Sequence, residues 1–135
     1  MSNISDICNE WLEQISHGSV PGSIIRILAV GCPAAVTECL SGEGRIVYEA
    51  DISNIPEDGA FDLAVAFIPG GDEGIFPEVL RYALLLAQGG VLILASQGGG
   101  EDTLDKMTGA VRAARLLPER RGIYGGTAVL SARRI

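Results

Sequence analysis

A chain of 135 residues, 47% hydrophobic and 20% charged, with a formal net charge of −7, is one domain's worth of sequence and long enough to bury a core unaided. That composition excludes a disordered tail, a collagen-like repeat and a disulfide scaffold, and three cysteines with no secretory signal ahead of them predict a reducing, cytoplasmic setting. An acidic balance argues against nucleic-acid binding, and no apolar run reaches the roughly 18 residues that a membrane span needs.

The first predicted element is a helix over residues 4–16. Ile4, Ile7, Cys8, Trp11, Leu12 and Ile15 recur at helical spacing, with Asp6, Glu10, Glu13 and Gln14 on the other face. His17-Gly18 ends it, and Gly18 to Ser23 reads as a loop. Ile24 to Val30 is an almost unbroken apolar, β-branched run, the pattern of a central parallel strand buried on both faces. Gly31 stops it, and Pro33 suits the first turn of a short helix ending at Leu40. Arg45–Ala50 predicts a second strand and Phe61 to Ile68 a third.

Pro77 then opens a helix whose Val79, Leu80, Ala83, Leu84 and Ala87 form a stripe, with Gly89-Gly90 as its end. Val91 to Ala95 is a fourth strand. Asp102 or Thr103 caps a helix carrying Leu104, Met107, Val111 and Ala114, stopped by Pro118. Ile123-Tyr124 and Ala128 to Ala132 make a terminal strand pair around Gly125-Gly126. Alternating helices and buried strands predict an α/β fold: a three-layer, doubly wound, mostly parallel sheet with an antiparallel pair at its C-terminal end. The ligand crevice of such a sheet lies beyond the carboxyl ends of its strands.

Three segments carry a resemblance. They are Ile27 to Cys32, Ala50 to Val65 with its Asp51 and Phe61-Asp62, and Leu84 to Leu94 with its Leu-Leu pair and Gly89-Gly90. Taken in this order they resemble the class I S-adenosylmethionine-dependent methyltransferases: a first glycine turn, an acidic segment running into Phe-Asp-hydrophobic, and a strand after a double glycine. The likeness covers most of residues 24–133 and implies one methyltransferase-like domain over 1–135, with the N-terminal helix packed on it.

The departures from that pattern are specific. Ala29 stands where the family has an acid, and Pro33 and Ala35 stand where its second and third glycines would be. Only one strand fits between the first helix and Phe61, so one strand–helix step is missing. Asp51 is then either the ribose-binding acid after the second family strand or the adenine-side acid after the third. Spacing to Phe61-Asp62 favours the third, and the rule that successive strands lie side by side favours the second.

The resemblance places the cofactor beside Gly31, Cys32, Asp51, Ile52, Ile68 and Pro69, with S-adenosylmethionine as the ligand. A nucleoside that approaches the turn closely wants the small residues Gly31, Ala34 and Ala35. Pro33 removes an N–H that a pyrophosphate would use, and neither nucleotide-phosphate signature is present. The loops after the third and fourth strands each end in two acids, Asp72-Glu73 and Glu101-Asp102, which oppose an anion and suit a cationic sulfonium. The bland alternatives are a plain strand–helix turn at Gly31, a turn-capping Asp51, and acids that cap the next helices.

Cys32 and Cys39 lack C-x-x-C spacing and read as small buried hydrophobes, with Cys32 alternatively a helix-N-terminal thiol of lowered pKa. Tyr124 reads as core or edge, alternatively as reaching the crevice. No catalytic residue and no metal set stands out. Residues 1–105 carry a charge of −13 and residues 106–135 a charge of +6, which reads as a solvated basic face or as a patch that docks on another copy or a partner. The functional expectation is an S-adenosylmethionine-binding protein that methylates a small molecule or a protein. Its alternative is a non-catalytic fold of the same type acting as a binding or oligomeric assembly module.

Overall fold

In the computed structural model, residues 9, 10, 12, 13, 24–42, 44–51, 56, 59–68, 75–124 and 126–135 are described, without the side chains of 75–78. Their elements run β1 (Ile25–Val30), α1 (Ala34–Leu40), β2 (Arg45–Ala50), β3 (Phe61–Phe67), α2 (Ile75–Leu85), β4 (Leu86–Gln97), α3 (Glu101–Ala113), β5 (Leu116–Tyr124) and β6 (Thr127–Arg134). The six strands form one mixed sheet in the order β2-β1-β3-β4-β6-β5. β2, β1, β3 and β4 are mutually parallel, and β6 and β5 close the sheet antiparallel.

Strand alternation sorts the core into two faces. Leu28, Ala64 and Leu92 face α2 and α3, meeting Val79, Tyr82 and Met107. Ile27, Val65 and Ile93 face the other way, meeting Val36 and Leu40 of α1. Leu12, in a helical stretch, is buried in that second cluster. This is the three-layer arrangement that the buried strand patterns predict. The rest of the predicted 4–16 helix lies outside the described residues.

Several boundaries differ from expectation: α2 begins at Ile75, two residues before Pro77, and α3 begins at Glu101 behind Gly100 as its N-cap, so neither Asp102 nor Thr103 caps it. The helix expected to reach Gly89 stops at Leu85, and β4 begins at Leu86. The pairing explains why: Phe61 of β3 lies opposite Leu86, and Leu63 lies opposite Val91. Ala87 to Gly89 therefore loop out as a bulge within the strand, and the double glycine sits inside β4. At the other end, Pro118 does not stop a helix. α3 ends at Ala113, and Arg115 adopts a left-handed φ of 64° that turns the chain sharply into β5. Pro118 lies in β5, an edge strand where a missing N–H is tolerated, beside a bulge between Pro118 and Arg120. The terminal pair is consequently longer than the residues around the Gly125-Gly126 turn suggest.

Candidate functional site

Successive connections leave β1 in opposite directions: β2 pairs on one side of it and β3 on the other. The point where strand order reverses is the one place in such a sheet where the connections part and leave a crevice. Here it lies beyond Val30, Ala50 and Phe67, the last residues of β1, β2 and β3.

Gly31 forms its floor. The residue has a φ of 61°, and its N–H donates to the Ala50 carbonyl at 3.0 Å. A Cβ at this position would stand 3.3 Å from the Phe67 carbonyl. The turn is thus wedged between β2 and β3, and both backbone angle and space call for glycine. Pro33 precedes α1 as its N-cap and does not enter the first turn. Its carbonyl accepts from the N–H groups of Val36 and Thr37 at 3.0 and 3.1 Å.

Cys32 points down onto the sheet. Its Sγ lies 3.3 Å from the Val65 carbonyl and 3.8 Å from that of Val30. Burial pushes the thiol up to about 12 from an ordinary 9.0. The hydrogen bond to Val30 works against that rise, and the nearby Glu49 carboxylate adds to it. The lowered-pKa alternative for Cys32 is therefore overturned: in apolar surroundings the thiolate is the disfavoured form, whatever the helix start nearby supplies. Because the folded state holds this proton above the pH at which the unfolded chain releases it, the contribution of Cys32 to stability falls as pH rises from 9 toward 12. Denaturant unfolding at pH 8 and at pH 10.5 should show this fall in the wild type and a smaller one in Cys32→Ala. Equal slopes would refute it.

Asp51 directly follows β2, exposed, one residue beyond the carbonyl that holds Gly31. Since β2 pairs with β1 directly, Asp51 ends the strand beside β1, as the side-by-side rule predicts. Glu49, also exposed, stands two residues earlier. Ile68 is drawn elsewhere. Its side chain is buried in the α2/α3 face of the core, and its N–H donates to the Ala95 carbonyl at 2.7 Å. Only its backbone is left to border the crevice. Ile52 and Pro69 lie outside the described residues.

The far rim holds a link that sequence reasoning missed. Past β4, Gly98 (φ 77°) donates its N–H to the carbonyl of Gly126 at 2.7 Å, which ties the loop after β4 to the β5–β6 turn. Gly-Gly runs at both places are the only signal for it, and they say nothing about mutual contact. Tyr124 packs against the α1 face of the core, which is the core reading of that residue. Two clefts of about 240 Å³ among the described residues lie elsewhere. One is lined by Arg26, Tyr48 and Phe61, and the other by Leu80, Leu84, Arg115 and Ile135.

Comparison with known proteins gives structures and no sequences: no family model matches the chain, and no curated protein does. Among solved structures it is similar to the CurJ carbon methyltransferase, with a TM-score of 0.64 at 13% identity over 96% of this chain and 53% of that one. The chain thus spans about half the length of that protein. It is also similar to geranyl diphosphate C-methyltransferase from Streptomyces coelicolor A3(2), solved with Mg2+, geranyl-S-thiolodiphosphate and S-adenosyl-L-homocysteine (TM-score 0.63, 10% identity, 93% of this chain and 75% of that one). A third is the [4+2]-cyclase SpnF (TM-score 0.53, 14% identity, 93% and 80%).

The fold is class I methyltransferase-like.

Within that methyltransferase-like frame, β2 is an edge, and among the described residues no strand pairs with its other side. This is the missing strand–helix step that the spacing before Phe61 predicts. No helix among the described residues is long and apolar enough to cross a membrane.

Proposed function

We propose that this protein binds S-adenosylmethionine in the crevice above β1 and β2 and, from the cytoplasm, transfers its methyl group to a small-molecule or protein acceptor. The observation that carries the reading is the placement of the exposed Asp51 carboxylate beside the glycine turn, one residue past the carbonyl that receives the Gly31 N–H. A carboxylate there can accept both hydroxyls of a ribose, while Gly31 keeps the turn free of bulk for the nucleoside. Glu49 and Asp51 give the crevice negative charge, which favours a sulfonium and opposes a phosphate. Cys32 offers a neutral, half-buried surface beside the turn.

Gly31, Cys32 and Asp51 would hold S-adenosylmethionine, which when bound would supply a methyl group on a positively charged sulfur. The chain's own part is to hold donor and acceptor in line, which by itself lowers such a barrier substantially.

Titration calorimetry with S-adenosylmethionine and S-adenosylhomocysteine tests the reading. Binding with a rise in Tm is expected, and Asp51→Ala should weaken it about 10- to 100-fold, the range for lost hydrogen bonds to a charged group. No heat and no Tm shift at millimolar ligand would refute it.

A second reading is favoured by Ala29, which is buried and apolar where the family pattern has an acid, and by the open edge at β2. In that reading the protein binds ligand or partner without turnover. Cofactor binding with no methyl transfer to any tested acceptor class would select it.

A further inference from the structure

The two edges of the sheet differ in how they are guarded. β5 carries Pro118, a bulge, and the charged run Glu119, Arg120 and Arg121, the usual devices that keep an exposed strand from pairing with another chain. β2 has neither proline nor bulge. Its six residues pair with β1 in unbroken register, and Ile46 and Tyr48 are 40% and 44% exposed.

The hydrogen bonds show which backbone groups face outward. The Gly44 carbonyl accepts from Ile25 N–H and the Ala50 carbonyl from Gly31 N–H, so the even-numbered residues of this stretch turn their polar groups toward β1. Alternation then turns those of Arg45, Val47 and Glu49 outward. The Arg45 N–H is taken by the Gly42 carbonyl at 3.2 Å. Among the described residues, that leaves two N–H groups and three carbonyls without a backbone partner along a regular edge.

We propose that a second copy of this chain pairs on β2, antiparallel and about a two-fold axis through Val47, so that the two sheets become one. Two identical edges meet through a two-fold axis perpendicular to the sheet, which reverses strand direction and keeps each face with its counterpart. Centred on Val47, the N–H and C=O of Val47 exchange two hydrogen bonds with those of the partner's Val47. Two more run from Glu49 N–H to the carbonyl of the partner's Arg45, and the reverse. The side chains then match on both faces: Ile46 lies opposite the partner's Tyr48, and Arg45 lies opposite the partner's Glu49.

Neighbouring registers lose this match. A centre at Tyr48 sets Glu49 against the partner's Val47, and a centre at Ile46 sets Tyr48 against the partner's Gly44. Arg45 reaches the Cys39 and Leu40 carbonyls only at 3.4 Å through one nitrogen, which leaves further N–H groups for a carboxylate. The proposal rests on the edge strand, shares only Glu49 with the cofactor reading, and is read by mass without any ligand present.

Sedimentation velocity of the full chain over a micromolar concentration series tests it, with a mass twice 14.1 kDa expected. Glu49→Arg sets like charges opposite each other twice and should raise the dimer Kd about tenfold or more. Arg45→Glu together with Glu49→Arg should restore it. Ile46→Lys, at an exposed position away from the α1 contacts, should give a monomer with the wild-type circular dichroism spectrum. A wild type that stays at 14.1 kDa at every concentration, or a dimer indifferent to both Glu49→Arg and Ile46→Lys, would overturn the proposal.

Discussion

Replacing Leu92 by alanine is expected to lower the unfolding free energy by about 3–4 kcal/mol, the upper part of the range for a buried leucine. Leu92 is fully buried at the middle of β4 and faces α2 and α3. Its lateral neighbours in register are Ala64 of β3 and Ala132 of β6. Neither has atoms that can swing into the space, so the cavity stays and the lost contacts are not replaced. Against a total stability of about 5–15 kcal/mol for a domain of this kind, that is a large fraction. Urea unfolding should show it directly, and thermal unfolding should show a fall in Tm of roughly 12 °C. Leu84→Ala, at a position 69% exposed on α2, should change stability by about 0.5 kcal/mol or less. A loss below about 1.5 kcal/mol for Leu92→Ala would mean that the two alanine-flanked strands close up, contrary to this account.

Gly90→Ala is expected to destabilise by about 2–3 kcal/mol, and by more than Gly89→Ala. The comparison is instructive because backbone angles alone predict the opposite order. Gly89 has the left-handed φ of 80°, where an added Cβ costs about 1 kcal/mol. Yet nothing stands within 4 Å of a Cβ built there. A Cβ on Gly90 would meet the Ala87 carbonyl at 2.8 Å and the Phe61 carbonyl at 2.9 Å. Both are backbone atoms, one on the paired strand β3 and one in the bulge itself, so relief requires the bulge to shift. Denaturant unfolding of the two variants side by side decides the matter. A larger loss at Gly89 would show that strain outweighs crowding in this bulge.

These two variants probe the platform on which the crevice rests. β4 supplies Ala95, whose carbonyl holds the Ile68 backbone, and Gln97, after which the chain turns toward the β5–β6 link. Among the described residues, the strand ends bordering the crevice bring together Gly31, a protonated Cys32 and the carboxylates of Glu49 and Asp51.

Much of this was legible in the residues. The runs at Ile25–Val30, Arg45–Ala50 and Phe61–Phe67 announce strands because burial on both faces leaves Arg26 and Asp62 as the one polar position in the first and in the third. The stop at Gly31 follows from a turn too tight for a Cβ. Asp51 was readable as a strand-end acid, but spacing and topology disagreed about which strand it ends, and only the pairing of β2 with β1 sets it beside Gly31. The end of α2 was not. Leu84 to Ala87 continues a helical stripe, and only the demand of Phe61 for a partner across the sheet draws Leu86 into β4. Pro118 reads locally as a helix stop, but antiparallel pairing with β6 makes it part of an edge strand. The inward turn of Ile68 and the burial that keeps Cys32 protonated depend likewise on neighbours distant in the chain. Periodicity records which side of its own backbone each residue hides. It holds no information about which strand lies alongside, or in what register, because those are decided by hydrogen bonds and contacts between segments that only folding brings together.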